Sequence, residues 1–141
     1  MSLVCVVVAE QSRARFFIQA GAGKTLRELA DLTNPEGRLH EQDLLSDRPG
    51  RSFDSKGTGR HAMEPKMGAK KHSAIRFAQE ICTYLETNRD EYDKLILIAP
   101  PEFLGLLRGK LPDALAQLVS KEINKDIVRK DIKEIQQYLK K

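Results

Sequence analysis

Two short runs of large, mostly branched apolar side chains set the narrowest limits on this chain: Leu3 to Ala9, with Val4, Val6, Val7 and Val8, and Lys94 to Ala99 (KLILIA). A strand with one wet face alternates apolar and polar residues. These runs do not, so each predicts a strand covered on both faces, the first of them at the centre of a sheet. Neither is long enough to cross a bilayer. The first has no basic region before it and is followed by Glu10 rather than by a small-residue cleavage pattern, so the expectation is a cytoplasmic protein with no membrane partner. With 141 residues, the chain has room for a single domain over residues 1–141 built on one core.

The remaining elements follow from periodicity. Ala14 to Ala20, with Phe16, Phe17 and Ile18, reads as an antiparallel hairpin partner of the first strand. Thr25 to Leu32 is open to two readings. Thr25 and Glu28 have capping-box spacing for a short helix, but a third strand suits the length of a meander and is the expectation adopted. From Thr33 to Lys71 no period is sustained, and the stretch holds five of the nine glycines and three of the six prolines, which predicts one long loop over about 33–71. Ser73 to Asn88 turns helical, with Ala74, Ala78, Ile81 and Leu85 on one face. Pro100 and Pro101 close the second buried strand, and Pro101 is suited to open a helix carrying Leu104, Leu107 and Leu111. A second helical stretch from Pro112 carries Leu115, Leu118 and Val119. Val119 to Ile127 suits a short charged edge strand, and Ile132, Ile135 and Leu139 mark a terminal amphipathic helix. The predicted class is α/β, a mixed β-sheet with flanking helices.

Several motifs can be weighed against the chemistry they suggest. Gly21-Ala-Gly-Lys-Thr25 resembles the end of a phosphate-binding P-loop, yet Ile18 stands where that pattern needs its first glycine, so no nucleotide cofactor is expected. Cys5 and Cys82 lie in apolar stretches and read as buried reduced thiols. His40, His61 and His72 are spaced too irregularly for a zinc set, and no metal is expected. Glu10, at a strand end, is a candidate carboxylate for a two-metal nuclease. Pro100 and Pro101 occupy the positions where a second acid belongs, which argues against that activity.

The strongest signal is where the positive charge lies. From Arg48 to His72 there are seven basic residues, Arg48, Arg51, Lys56, Arg60, Lys66, Lys70 and Lys71, against Asp54 and Glu64; the net of +5 exceeds the +4 of the entire chain. Lys70, Lys71 and His72 precede the predicted helix start at Ser73, where acidic residues are the usual occupants. A helix start made more positive is suited to an anion such as phosphate.

Lys70-Lys-His-Ser-Ala-Ile-Arg-Phe-Ala78 resembles the Gly-Gly-Gln-Ser-Ala-Leu-Arg-Phe-Ala stretch of the middle domain of archaeal and eukaryotic class-1 peptide-chain release factors. Arg13-Ala-Arg15, Asp47-Arg-Pro-Gly-Arg51 with Phe53-Asp-Ser55, Arg60-His-Ala62, Ala99-Pro-Pro-Glu-Phe-Leu-Gly-Leu-Leu-Arg108 and Asn124-Lys-Asp126 make the whole chain similar to the bacterial host attachment protein family, relatives of that domain. The resemblance implies a ribonuclease H-like α/β fold of the translation-machinery-component type, with the loop presented to the ribosome or to tRNA. The hydrolytic tripeptide of release factors is replaced by Lys70, Lys71 and His72, and lysine restricts the close backbone approach that glycine allows. The reading is therefore a non-enzymatic RNA- or ribosome-associated module that binds phosphates through Arg48, Arg51, Arg60, Lys70 and Lys71, supported by Arg76. One alternative is a peptidyl-tRNA ester hydrolase with His72 as the base. The other is a protein-interaction role in attachment to host cells.

Overall fold

The computed structural model describes residues 3–20, 25–37 and 59–140, and for 59–70 and 140 the backbone alone. Strands β1 (Val4–Glu10), β2 (Arg13–Gln19) and β3 (Leu26–Thr33) come first. After them come the long helix α1 (Gly59–Thr87), strand β4 (Lys94–Ala99), helices α2 (Pro101–Lys110) and α3 (Asp113–Ala116), strand β5 (Val119–Asn124) and helix α4 (Ile132–Lys140). Among the described residues the strands form one mixed sheet in the order β3-β2-β1-β4-β5. β1 pairs antiparallel with β2, Glu10 opposite Arg13, and parallel with β4, Val8 opposite Ile98. β5 runs parallel to β4 at the edge.

The central position of β1 explains its composition. Cys5, Val7 and Ala9 pack with Ala74, Phe77, Ala78, Ile81 and Leu85 of α1 and with Phe103, Leu104 and Leu107 of α2. Val6 and Val8 face the other way, into a second core with Phe17, Leu26, Ile98, Ile127, Val128 and Ile135 of α4. With helices on both faces, neither side of β1 tolerates a polar alternation. Each such large aliphatic or aromatic side chain contributes about 1.5–3 kcal/mol on full burial. Helix α2 starts as its prolines predict: Pro100 is extended at the cap, Pro101 follows, and Leu104 donates its amide to the Pro100 carbonyl at 2.8 Å. Both cysteines are buried and free. Burial pushes the Cys5 thiol up to about 12 and the Cys82 thiol up to about 11.

Three expectations need correction. The long loop over 33–71 is not one loop: residues 35–37 are helical, and α1 begins at Gly59, not at Ser73. Residues 38–58 lie outside the described residues. Lys70, Lys71 and His72 therefore stand inside a helix and do not precede a helix N-terminus. Arg60, Ala62, Met63, Glu64, Lys66, Met67, Ala69, Lys70 and Lys71 are all strong helix formers, and their propensity prevails over the single breaks at Pro65 and Gly68. The helical stretch from Pro112 ends at Ala116, so Leu118 falls in a turn and Val119 opens β5. β5 ends at Asn124 rather than at Ile127, whose side chain is buried in the α4 core.

Candidate functional site

The parallel strands β1, β4 and β5 end on the same side of the sheet, the side on which open α/β sheets place ligands. Glu10, the last residue of β1, is buried; the backbone amide of Ser12 donates to its Oε1 at 3.0 Å, and the Ser12 hydroxyl donates to the same oxygen. The loop between β5 and α4, residues 125–131, crosses this edge. Arg15 on β2 holds it down, donating Nη1 hydrogen bonds to the carbonyls of Val128 (3.0 Å) and Lys130 (2.7 Å) while Nε and Nη2 grip both oxygens of Glu28. The same guanidinium lies 5.0 Å from the centre of the Phe17 ring. The clamp brings Arg129 Nη2 to 3.9 Å from Glu10 Oε2 and sets Asp126 near the same carboxylate. Burial, and then the charge of Glu10, push the Asp126 carboxyl above its ordinary range. Asp126, Arg129, Lys130 and Glu134 line a cavity of about 250 Å³.

A second carboxylate, Asp126, comes from the loop after β5 rather than from the end of β4, near enough to Glu10 for the two charges to interact. Glu10 is nevertheless engaged by Ser12 and Arg129. Among the described residues no group of three or more His, Cys, Asp or Glu side chains is placed to hold a metal ion.

On the same side of the sheet, α1 leaves the core. Ser73 is 1% exposed and is the first buried residue described on the helix. Asn34 Nδ2 donates to the Ser73 hydroxyl at 3.1 Å and to the Gln11 carbonyl at 2.8 Å, tying the end of β3, the β1–β2 turn and α1 together. The backbone follows the tie, since the Asn34 amide donates to the Ser12 carbonyl at 2.8 Å. Asn34, Pro35 and Glu36 have the makings of a helix start, a capping side chain followed by proline at the first helical position. Gly37 is pressed against Gln11, where an added Cβ would stand 2.3 Å from the carbonyl oxygen. This arrangement directs Glu36 at α1, and its Oε1 accepts from Arg76 Nη2 at 2.5 Å.

The sequence-derived phosphate-binding residues distribute unevenly over this geometry. Lys71, His72 and Arg76 are exposed on α1 where it leaves the sheet, with the guanidinium of Arg76 held by Glu36. Arg60 and Lys70 belong to the same helix, nearer its start. Arg48 and Arg51 lie outside the described residues, as do His40 and the glycines and lysine of the P-loop-like stretch at 21–24. Strand β3 comes directly after that stretch, in place of the helix of a P-loop. Asn34 and Glu36 escaped the sequence reading, and Asp126 entered it only within the family-resembling Asn124-Lys-Asp126 stretch, with no role assigned. The Asn-Pro-Glu order is a usable signal for the first two, whereas nothing local links Asp126, in the loop after β5, to Glu10 at the end of β1.

Comparison with known proteins fits this architecture. An archaeal translation termination factor superposes on 99% of this chain with a TM-score of 0.53 at 14% identity, and the superposition spans 34% of that protein. The likeness is one of fold. A Ppx/GppA phosphatase of Aquifex aeolicus matches more loosely, with a TM-score of 0.42 at 12% identity over 88% of this chain and 36% of the phosphatase. An uncharacterized protein of Rickettsia prowazekii is 30% identical over 98 residues, or 67% of this chain. The match spans 65% of the length of that relative. The family described as "Protein required for attachment to host cells" matches residues 5–139, nearly the full sheet-and-helix domain, and the chain belongs to this host attachment family.

Proposed function

We propose that this host attachment family protein acts as a non-enzymatic RNA- or ribosome-associated module whose basic segment binds phosphates. The observation that carries the reading is the position of Lys71 and His72, exposed on a helix that is anchored to the core at Ser73 and continues back to Gly59. At 1.5 Å per residue, the part before Ser73 is about 20 Å long, and it carries Arg60, Lys66, Lys70 and Lys71 against the single acid Glu64. A helix that carries a run of cationic residues suits a polyanion, because each phosphate neutralised releases counterions. Arg48 and Arg51 add to the same charge in the sequence. The fold shared with a translation termination factor supports an RNA-rich setting.

Peptidyl-tRNA ester hydrolysis is a poorer fit. Residues 70–72 lie inside α1, where each amide is committed to the carbonyl four residues back and is not offered to a water or an ester. A protein-interaction role in attachment matches the description of the family, while the excess of basic residues from Arg48 to His72 supports the phosphate reading.

Sedimentation with ribosomes, alongside binding of a labelled single-stranded RNA, tests the proposal. The Lys70→Glu/Lys71→Glu variant is expected to lose at least tenfold in RNA affinity, and the slope of log affinity against log salt is expected to fall by about 0.7 for each phosphate no longer neutralised. Ribosome and RNA binding unaltered by the double reversal would overturn it. A peptide-release assay with His72→Ala checks the hydrolase alternative, for which release above background is the required result.

A further inference from the structure

The geometry points to a specific phosphate subsite on α1: His72 and Arg76 form it, and Glu36 occupies it in the free protein, its carboxylate standing where a phosphodiester of RNA binds. The inference rests on the RNA-binding reading above and adds to it a competing internal anion. Three observations carry it.

The first is spacing. His72 and Arg76 are four residues apart on one helix, so their side chains project from neighbouring positions on the same surface, about 5–6 Å apart at Cβ. Both are exposed. Side chains rooted that close together can direct their nitrogen donors to the oxygens of one phosphate, and arginine grips such a group with two parallel hydrogen bonds.

The second is how Glu36 comes to be there. Its segment is fixed by contacts that do not involve the carboxylate: Asn34 to Gln11 and Ser73, the Asn34 amide to Ser12, and Gly37 against the Gln11 carbonyl. The backbone thus sets Glu36 within reach of Arg76 by contacts that do not depend on the ion pair. A group placed in that way is able to leave the guanidinium without unfolding the segment that holds it.

The third is solvent. The side chains of Arg76 and Glu36 are 59% and 56% exposed, so water and salt screen their attraction and displacement by a denser anion is cheap. On the helix itself Glu80, one turn further along and also exposed, is the other acid within reach of Arg76.

The test measures anisotropy of a fluorescein-labelled single-stranded RNA at several salt concentrations, with the full chain in four forms: unaltered, Glu36→Gln, Arg76→Gln, and the two substitutions combined. Glu36→Gln is expected to tighten binding about three- to tenfold and to steepen the salt slope by about 0.7, one further phosphate contact. In the Arg76→Gln background the same substitution is expected to yield little gain, because the subsite it vacates is then missing. Glu86→Gln, ten residues from Arg76 on the same helix and exposed, controls for loss of one negative charge and is expected to change affinity by less than twofold. An equal gain from Glu36→Gln with and without Arg76 makes the effect one of net charge and overturns the subsite. Binding by the unaltered protein with no response to Glu36→Gln also overturns it, while leaving the RNA-binding reading in place. Failure of every variant, Glu36→Gln included, to bind RNA overturns both. Because Glu36 is exposed, an unchanged melting temperature verifies that each variant compared is folded.

Discussion

Two arginine–glutamate pairs tie distant parts of this chain together, and they do opposite work. Arg15 and Glu28 meet on neighbouring strands with side chains 11% and 35% exposed, and the guanidinium directs its remaining donors to two backbone carbonyls of the loop after β5. Arg76 and Glu36 meet in water, joined by one short contact, with donors of the guanidinium left for other acceptors. Two pairs with the same chemistry thus differ in what surrounds them. Burial of the Arg15 guanidinium and of the Val128 carbonyl makes the first a fastening, and exposure makes the second exchangeable. The family motif Arg13-Ala-Arg15 thereby acquires a structural explanation: Arg13 pairs with Asp31 across β2 and β3, Arg15 clamps the loop, and the alanine between them faces the core.

The sharpest way to break this contrast is to truncate each arginine. Arg15→Ala removes a bidentate carboxylate partner, strands the Val128 and Lys130 carbonyls and uncovers the Phe17 ring, so a loss of about 2–4 kcal/mol is expected in urea unfolding. Arg76→Ala is expected to cost less than about 0.5 kcal/mol, the range of an exposed pair. Similar losses from the two would remove the distinction.

Gly37→Ala sharpens the comparison from the other side of the exposed pair. A methyl group there would stand 2.3 Å from the Gln11 carbonyl oxygen and 2.9 Å from its carbon, and a backbone neighbour has little room to yield. The expected cost is about 1–3 kcal/mol, more than loss of the ion pair that the segment presents. A neutral Gly37→Ala would mean that attraction by Arg76, rather than backbone contact, holds Glu36 in position.

How much of this was legible in the sequence depends on which force shaped each part. Hydrophobic pattern reports burial, so β1, β4, the core-facing stretch of α1 from Ser73 and the start of α2 at Pro101 could be read nearly to the residue. The portion of α1 from Gly59 to His72 carries no apolar period in the sequence, and Pro65 and Gly68 make it look like loop. Its helicity was recorded in propensity instead, in the run of alanine, methionine, lysine and arginine. The site suffers in the same way. Lys71 and His72 could be named from charge and from the family resemblance, but the pairing of Glu36 with Arg76 joins residues 40 positions apart, and that of Arg15 with Lys130 joins residues 115 apart. Such separations are created by strand order, which no local pattern encodes.

Asp126 is the subtlest probe of whether geometry or charge holds the loop that Arg15 fastens. Its carboxyl is pushed upward first by burial and then by Glu10, with Arg129 pulling the other way. An acid whose folded value is raised is no burden while both folded and unfolded forms are protonated; it weakens the fold as the pH rises from the unfolded value through the folded one, where only the unfolded chain ionises freely, and the loss is complete above the folded value. Asp126→Asn should accordingly stabilise slightly at neutral pH, by a few tenths of a kcal/mol given the exposure of the side chain, and the gain should vanish as the pH falls below the ordinary carboxylate range. Melting temperatures of the two forms across acid and neutral pH check it. A variant less stable at neutral pH would show that the ionised carboxylate is what the loop needs, through Arg129, and that the hydrogen bonds from Arg15 do not fasten it by themselves.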